Sequence, residues 1–175
     1  MNFIEKSTRI LGIVLTFFIM SCGVGLKPVE LMYAGKNTTM YYISPFTMEG
    51  ERYGKAEVDF TFRHHLHKDS SRQVSCKFTF YSEEPGIEKV SKVFFTMEGD
   101  TTTIMLKQLD RYYVERGENR ARYEGKMMYD DLKKLFTANS CTLTVVIPKH
   151  ELVYGPKGSV QKTRIAVRRE MIDLI

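Results

Sequence analysis

Tryptophan is missing from all 175 residues, proline occurs five times and cysteine three. No apolar stretch reaches the roughly twenty residues that a helix needs to cross the hydrocarbon of a bilayer, so the sequence offers no spanning helix. Catalytic signatures are lacking too. There is no Gly-x-Ser-x-Gly elbow, no glycine loop of the phosphate-cradling kind and no His-Glu-x-x-His run. No repeat, heptad or low-complexity tract competes with a compact domain. The formal charge of +5 is mild and spread along the chain, unlike that of a dedicated nucleic-acid binder, whose cations gather on one face. No nucleic acid and no cofactor is therefore expected.

What is present begins with an address. The apolar run Ile10 to Met20 follows Lys6 and Arg9 and stops at Ser21-Cys22-Gly23, which is the order of cations, short apolar core and small residues found in a secretory signal. Within it, Ile19-Met20-Ser21-Cys22 resembles the lipobox of bacterial lipoproteins, whose cysteine is acylated and becomes the first mature residue. Ile19 stands where Leu is usual, and Met20 is large for its place. The resemblance implies a signal peptide over residues 1–21, lipid attachment at Cys22, and a lipidated N-terminus and tether over 22–37. Gly23 and Gly25 also provide the spacing for ordinary cleavage after Gly25. The resemblance further implies an exported protein of the bacterial envelope, held to the membrane by its lipid. Without an acidic run after Cys22, it implies an outer-membrane lipoprotein facing the periplasm. Removing the first 21 residues takes basic residues from 26 to 24 and acidic ones from 21 to 20, leaving about +4.

The remainder, 38–175, reads as a single β-rich domain. Lys55 to His65 alternates Ala56, Val58, Phe60 and Phe62 against charged and polar residues, and Gln73 to Tyr81 does the same with Val74, Cys76, Phe78 and Phe80. These two should pair antiparallel across the polar connection His64 to Ser71. Thr38 to Phe46 reads as an edge strand because Pro45 cannot donate to a ladder. Val90 to Met97 is a strand whose alternation slips between Val90 and Val93, as at a bulge. Thr101 to Leu109 follows, then a hairpin from Arg111 to Met128. From Asp130 to Ala138 the period becomes helical, with Asn139 as a left-handed cap. Cys141 to Ile147 and Val160 to Val167 read as the last strands, and Arg168 to Ile175 as a short terminal helix. The expected fold is mainly β: an antiparallel sandwich or open barrel with one short inserted helix and a short C-terminal one. Immunoglobulin membership is rejected, because the buried tryptophan is missing and Asn139 stands where a tyrosine belongs.

Three constellations carry chemistry. Cys76 and Cys141 both lie on apolar phases and remain as an even pair once Cys22 is lipidated, so they are candidates for a disulfide, or else two buried free thiols. His65 and His67 point the same way in an extended chain and, with a third ligand, could hold a metal ion. A polar hairpin tip carrying solvated imidazoles is the plainer reading. Arg111, Tyr112, Tyr113, Arg120, Arg122 and Tyr123 interleave guanidinium groups, which fork onto phosphates and carboxylates, with rings that stack on sugar faces. The plainer reading there is a solvated hairpin with cross-strand ion pairs. The sequence therefore favours a lipid-anchored envelope protein with a non-catalytic binding or structural domain, its partner an envelope protein or an anionic glycan. The rival is a metal-dependent hydrolase with its site at the His64–His67 turn.

Overall fold

The computed structural model describes residues 29–35, 38–50, 54–65, 73–109, 113–115 and 118–172. In chain order the described elements are β1 (Val29–Gly35), β2 (Thr38–Glu49), β3 (Lys55–His65), β4 (Gln73–Ser82), a 3-10 turn (Ile87–Lys89), β5 (Lys92–Met97), β6 (Asp100–Gln108), β7 (Tyr113–Glu115), β8 (Glu118–Met128), α1 (Tyr129–Thr137), β9 (Thr142–Val146), β10 (Glu151–Pro156) and α2 (Gly158–Val167), which runs into a π-helical turn (Arg168–Ile172). The signal segment Ile10 to Met20, and Cys22 with it, lies outside the described residues.

Going round the sheet, β2, β3, β4, β8, β6, β5, β9 and β10 follow one another, and β10 returns to β2. All these pairings are antiparallel. Eight strands thus form a closed barrel, where the alternating pattern alone had left sandwich and open barrel as the choices. Closure depends on the length of β2. One edge lies along β3; the other is shared, with β1 taking Thr38 to Ile43 and β10 taking Met48 and Glu49. Pro45 falls at the register shift between Ile43 and Phe46, so its missing N–H breaks no ladder there.

The inward rows are those the alternation predicted. Val58, Phe60, Phe62, Val74, Cys76, Phe78 and Phe80 are all buried, and Val58 opposes Phe78 while Phe62 opposes Val74. Rings then meet across the lumen. Phe78 of β4 lies 6.2 Å from Phe95 of β5, and Phe80 lies 6.4 Å from Tyr154 of β10, although two strands lie between β4 and either partner in the ring. An eight-stranded barrel is just wide enough for its side chains to fill, and this one is filled with aromatics.

Both ends are closed as well. Helix α1 turns Leu132, Leu135 and Phe136 inward, and Phe136 meets Phe46 and Phe60 edge-on at 6.0 and 5.8 Å. At the opposite end Ile87 of the 3-10 turn is fully buried. That turn explains the slip between Val90 and Val93: the chain is leaving a turn there, not crossing a bulge.

Four further expectations are corrected. The stretch read as a tether contains β1, which carries the sheet back to Val29. The segment Val160 to Val167 is helix α2, and the strand before it is β10; the terminal turn at Arg168–Ile172 is helical as expected. Asn139 is no left-handed cap, since Ala138 already leaves α1 extended, and Asn139 instead donates from its backbone N and Nδ2 to Glu98 Oε1, both at 2.7 Å. Cys76 and Cys141 are free buried thiols. Cys76 sits on β4 and Cys141 at the start of β9, on opposite sides of the ring.

Candidate functional site

The lumen is filled with the barrel's own side chains, and the outer wall formed by β3, β4 and β8 concentrates charge. The alternation that buries Phe60 and Phe78 turns Lys55, Glu57, Asp59 and Arg63 outward on β3 and Lys77 and Tyr81 outward on β4. On β8, Ala121, Tyr123, Gly125 and Met127 are buried, so Arg120, Arg122, Glu124 and Lys126 face out. Register then aligns them in rows. Lys55, Tyr81 and Arg120 form one, Glu57, Thr79 and Arg122 the next, and Asp59, Lys77 and Glu124 a third. Among the described side chains of this wall, six cations (Lys55, Arg63, Lys77, Arg120, Arg122, Lys126) stand against three carboxylates (Glu57, Asp59, Glu124), a net positive wall.

Tyr81 is the centre of the first row. The Lys55 Nζ lies 4.2 Å from its ring centroid and the Arg120 Cζ 5.5 Å, both within the range in which a ring quadrupole attracts a cation. Its hydroxyl donates to Glu57 Oε2 at 3.3 Å, and Glu57 Oε1 also takes Lys55 at 3.1 Å. Burial, and then the Glu57 charge, push the Tyr81 hydroxyl above its ordinary value, so the phenol stays a neutral donor. The arrangement is a half-buried aromatic plate with two cations held against it. Such a plate suits a planar or ring-shaped ligand that carries negative charge.

Asp59, two residues along, is different. It faces Lys77 across the ladder, and its Oδ1 is enclosed with no hydrogen-bond donor among the described residues. Burial raises its carboxyl above the usual range, while Lys77 and Arg122 pull it back down. The same Asp59 charge, after burial, helps to raise Tyr42.

The residues singled out in the sequence separate here. Arg120 and Arg122 belong to this wall. Tyr123 does not: it is buried, and its hydroxyl donates to the Ile87 carbonyl at 2.7 Å and accepts from Val90 N at 3.2 Å, clamping the 3-10 turn that closes the barrel. The backbone of Tyr113 opposes Arg120 on β7; Arg111 and Tyr112 lie outside the described residues. His64 and His65 end β3 opposite Thr39 and Thr38, while His67 lies outside the described residues. Among the described residues no three of His, Cys, Asp and Glu gather as a metal site would require. Sequence reading missed Lys55, Glu57 and Tyr81 as companions of Arg120, because that proximity depends on β8 skipping three strands of chain to pair with β4. The only signal was Tyr81 falling on the outward phase of β4.

A hollow of about 260 Å³ lies between the β5–β6 turn and the end of α1, lined by Met97, Glu98, Asp100, Lys134, Thr137 and Ala138. Its charged groups are already engaged, Lys134 with Asp100 at 3.0 Å and Glu98 with Asn139. It fastens hairpin to helix.

Fold and site together define a closed, filled antiparallel barrel with a basic wall bearing a tyrosine plate. No family model, no curated protein and no solved structure matches the chain.

Proposed function

We propose that the chain is a lipid-anchored envelope protein, acylated at Cys22, whose barrel binds an anionic glycan on the outer wall of β3, β4 and β8. The supporting observation is the Tyr81 plate with Lys55 and Arg120 against it, on a barrel whose lumen is occupied by its own rings. A sugar face stacks on such a plate while its carboxylate or sulfate meets the flanking cations. No bond need be broken for this role, and the wall's groups serve as donors and contacts.

Two measurements test the reading. Calorimetric titration of the mature protein with polygalacturonate should give binding that weakens with added salt, and Tyr81→Ala or Arg120→Ala should each weaken it about tenfold, near 1.4 kcal/mol. Equal binding of uncharged dextran, or no effect of either substitution, overturns the glycan assignment. For the anchor, labelled palmitate should be incorporated into the exported chain and lost in Cys22→Ala. Labelling that persists in that variant overturns the anchor.

A further inference from the structure

Strand β1 stands outside the barrel's closure. Among the described residues it pairs with β2 alone, whereas the eight barrel strands pair with one another all the way round. In an antiparallel ladder alternate residues turn both N–H and C=O away from the partner, so half of the backbone groups of β1 point outward. No proline interrupts Val29 to Gly35. Open edges are ordinarily blunted by lysine, proline or a bulge. Here Val29 to Tyr33 stays in regular register, with the irregularity only between Tyr33 and Gly35, and the one charge is Glu30. Leu31 is 58% and Met32 42% exposed, on opposite faces of the strand.

We infer that a second copy of this chain lays its own β1 antiparallel along this edge, giving a two-fold dimer of chains held on one membrane. The inference rests on the lipid-anchored reading above. Symmetry sets the register. A two-fold axis perpendicular to the paired strands keeps each face continuous, so opposed residues must share a phase. The register that uses the whole regular run centres on Leu31, which then faces its own counterpart, while Glu30 faces Met32 and Val29 faces Tyr33. Like charges are kept apart.

The area involved explains why a membrane matters. A five-residue ladder falls well short of the roughly 1,000 Å² that marks a stable interface, so two copies free in dilute solution separate. Only Gly23 to Pro28 lies between Cys22 and Val29, a reach of about 20 Å when fully extended. Anchored copies therefore carry β1 within one thin layer above the bilayer, and that confinement raises the effective concentration of one edge for the other.

Cysteine cross-linking of the full-length exported chain tests this. Leu31→Cys places two thiols on the symmetry axis; Met105→Cys, on β6, is the control, since Met105 is 66% exposed. Mild oxidation of membranes should give a disulfide dimer from Leu31→Cys and not from Met105→Cys. Amine cross-linking then checks the register. Leu31→Lys sets two ammonium groups against each other and should abolish the dimer, whereas Met32→Lys faces Glu30 of the second copy and should retain it. A dimer from both cysteine positions alike, or none from Leu31→Cys in membranes, overturns the inference, as does equal loss in both lysine variants. Fractionation separates the two ideas: if the intact chain is found soluble, the anchor fails, and oxidation of concentrated soluble Leu31→Cys protein still decides the edge, a dimer upholding it and a monomer overturning it.

Discussion

Tyr123 and Asp59 show how much a single residue's neighbourhood adds to its place in the sequence. Among the hairpin's arginines Tyr123 looked like a ligand contact, yet it sits one residue out of phase with Arg120 and Arg122, and parity alone puts it on the buried side. That much was legible. Its two hydrogen bonds to Ile87 and Val90 were not, because they join positions more than thirty residues apart. Asp59 was read correctly as outward, but not as half enclosed. Its folded-state carboxyl titrates above the ordinary value, chiefly through burial, so its contribution favours folding at low pH and is lost as pH rises through that raised value. Ionised Asp59 is therefore a liability at neutral pH. Asp59→Asn should melt higher than the parent at neutral pH, and the advantage should shrink as the pH falls towards the ordinary aspartate range. Thermal melts across that range measure it, and an advantage that grows on acidification would show the sign to be wrong.

At the scale of elements, the strands with clean alternation, β3 and β4, were legible nearly to the residue, because each buries one face only. Helix α2 was not. Its buried positions Val160, Arg164 and Val167 keep helical spacing, but the middle one is an arginine, which removes the apolar signal from the row. Val160, Ile165 and Val167, β-formers by propensity, then read as strand. The β5–β6 turn holds another local compromise: Glu98 adopts φ +49 and Gly99 φ +96, a left-handed pair that a glutamate enters at some cost, and its carboxylate holds the end of α1 in return. At Gly125 strand β6 lies close against β8. A Cβ there would lie 2.5 Å from Ile104 Cγ2 and 2.9 Å from the Met105 carbonyl. Gly125→Ala should therefore destabilise the protein by about 1–3 kcal/mol, read as a lower urea midpoint with an unchanged slope. A midpoint at or above the parent's would mean that β6 yields without penalty.

For the whole molecule, the class was legible and the closure was not. Local alternation specifies that strands exist and which faces are apolar; it carries nothing about β8 joining β4, or about β10 reaching back to β2. That last contact is narrow. Gly155 and Pro156 oppose Glu49 and Met48, and an ion pair between Lys157 and Glu49 lies beside them, whereas β3 and β4 share eight paired positions. Regions with short ladders open first. Hydrogen exchange followed by mass spectrometry should show the amides of β10 and of the last residues of β2 exchanging well before those of β3, β4 and the middle of β8. Uniform protection across those strands would place the weak point elsewhere.

The same seam puts an order on synthesis. A chain made from its N-terminus has β1, β2, β3 and β4 early as consecutive hairpins, but the outer edge of β4 waits for β8, and the Met48–Glu49 end of β2 waits for the last strand of all. Until Pro156 has emerged, the nascent sheet lacks its closing strand and presents Phe80 without Tyr154 above it, and such half-built sheets are the species that aggregate. This barrel is thus completed in time by the same few residues that close it in space, and its most hazardous moment is the interval before they arrive.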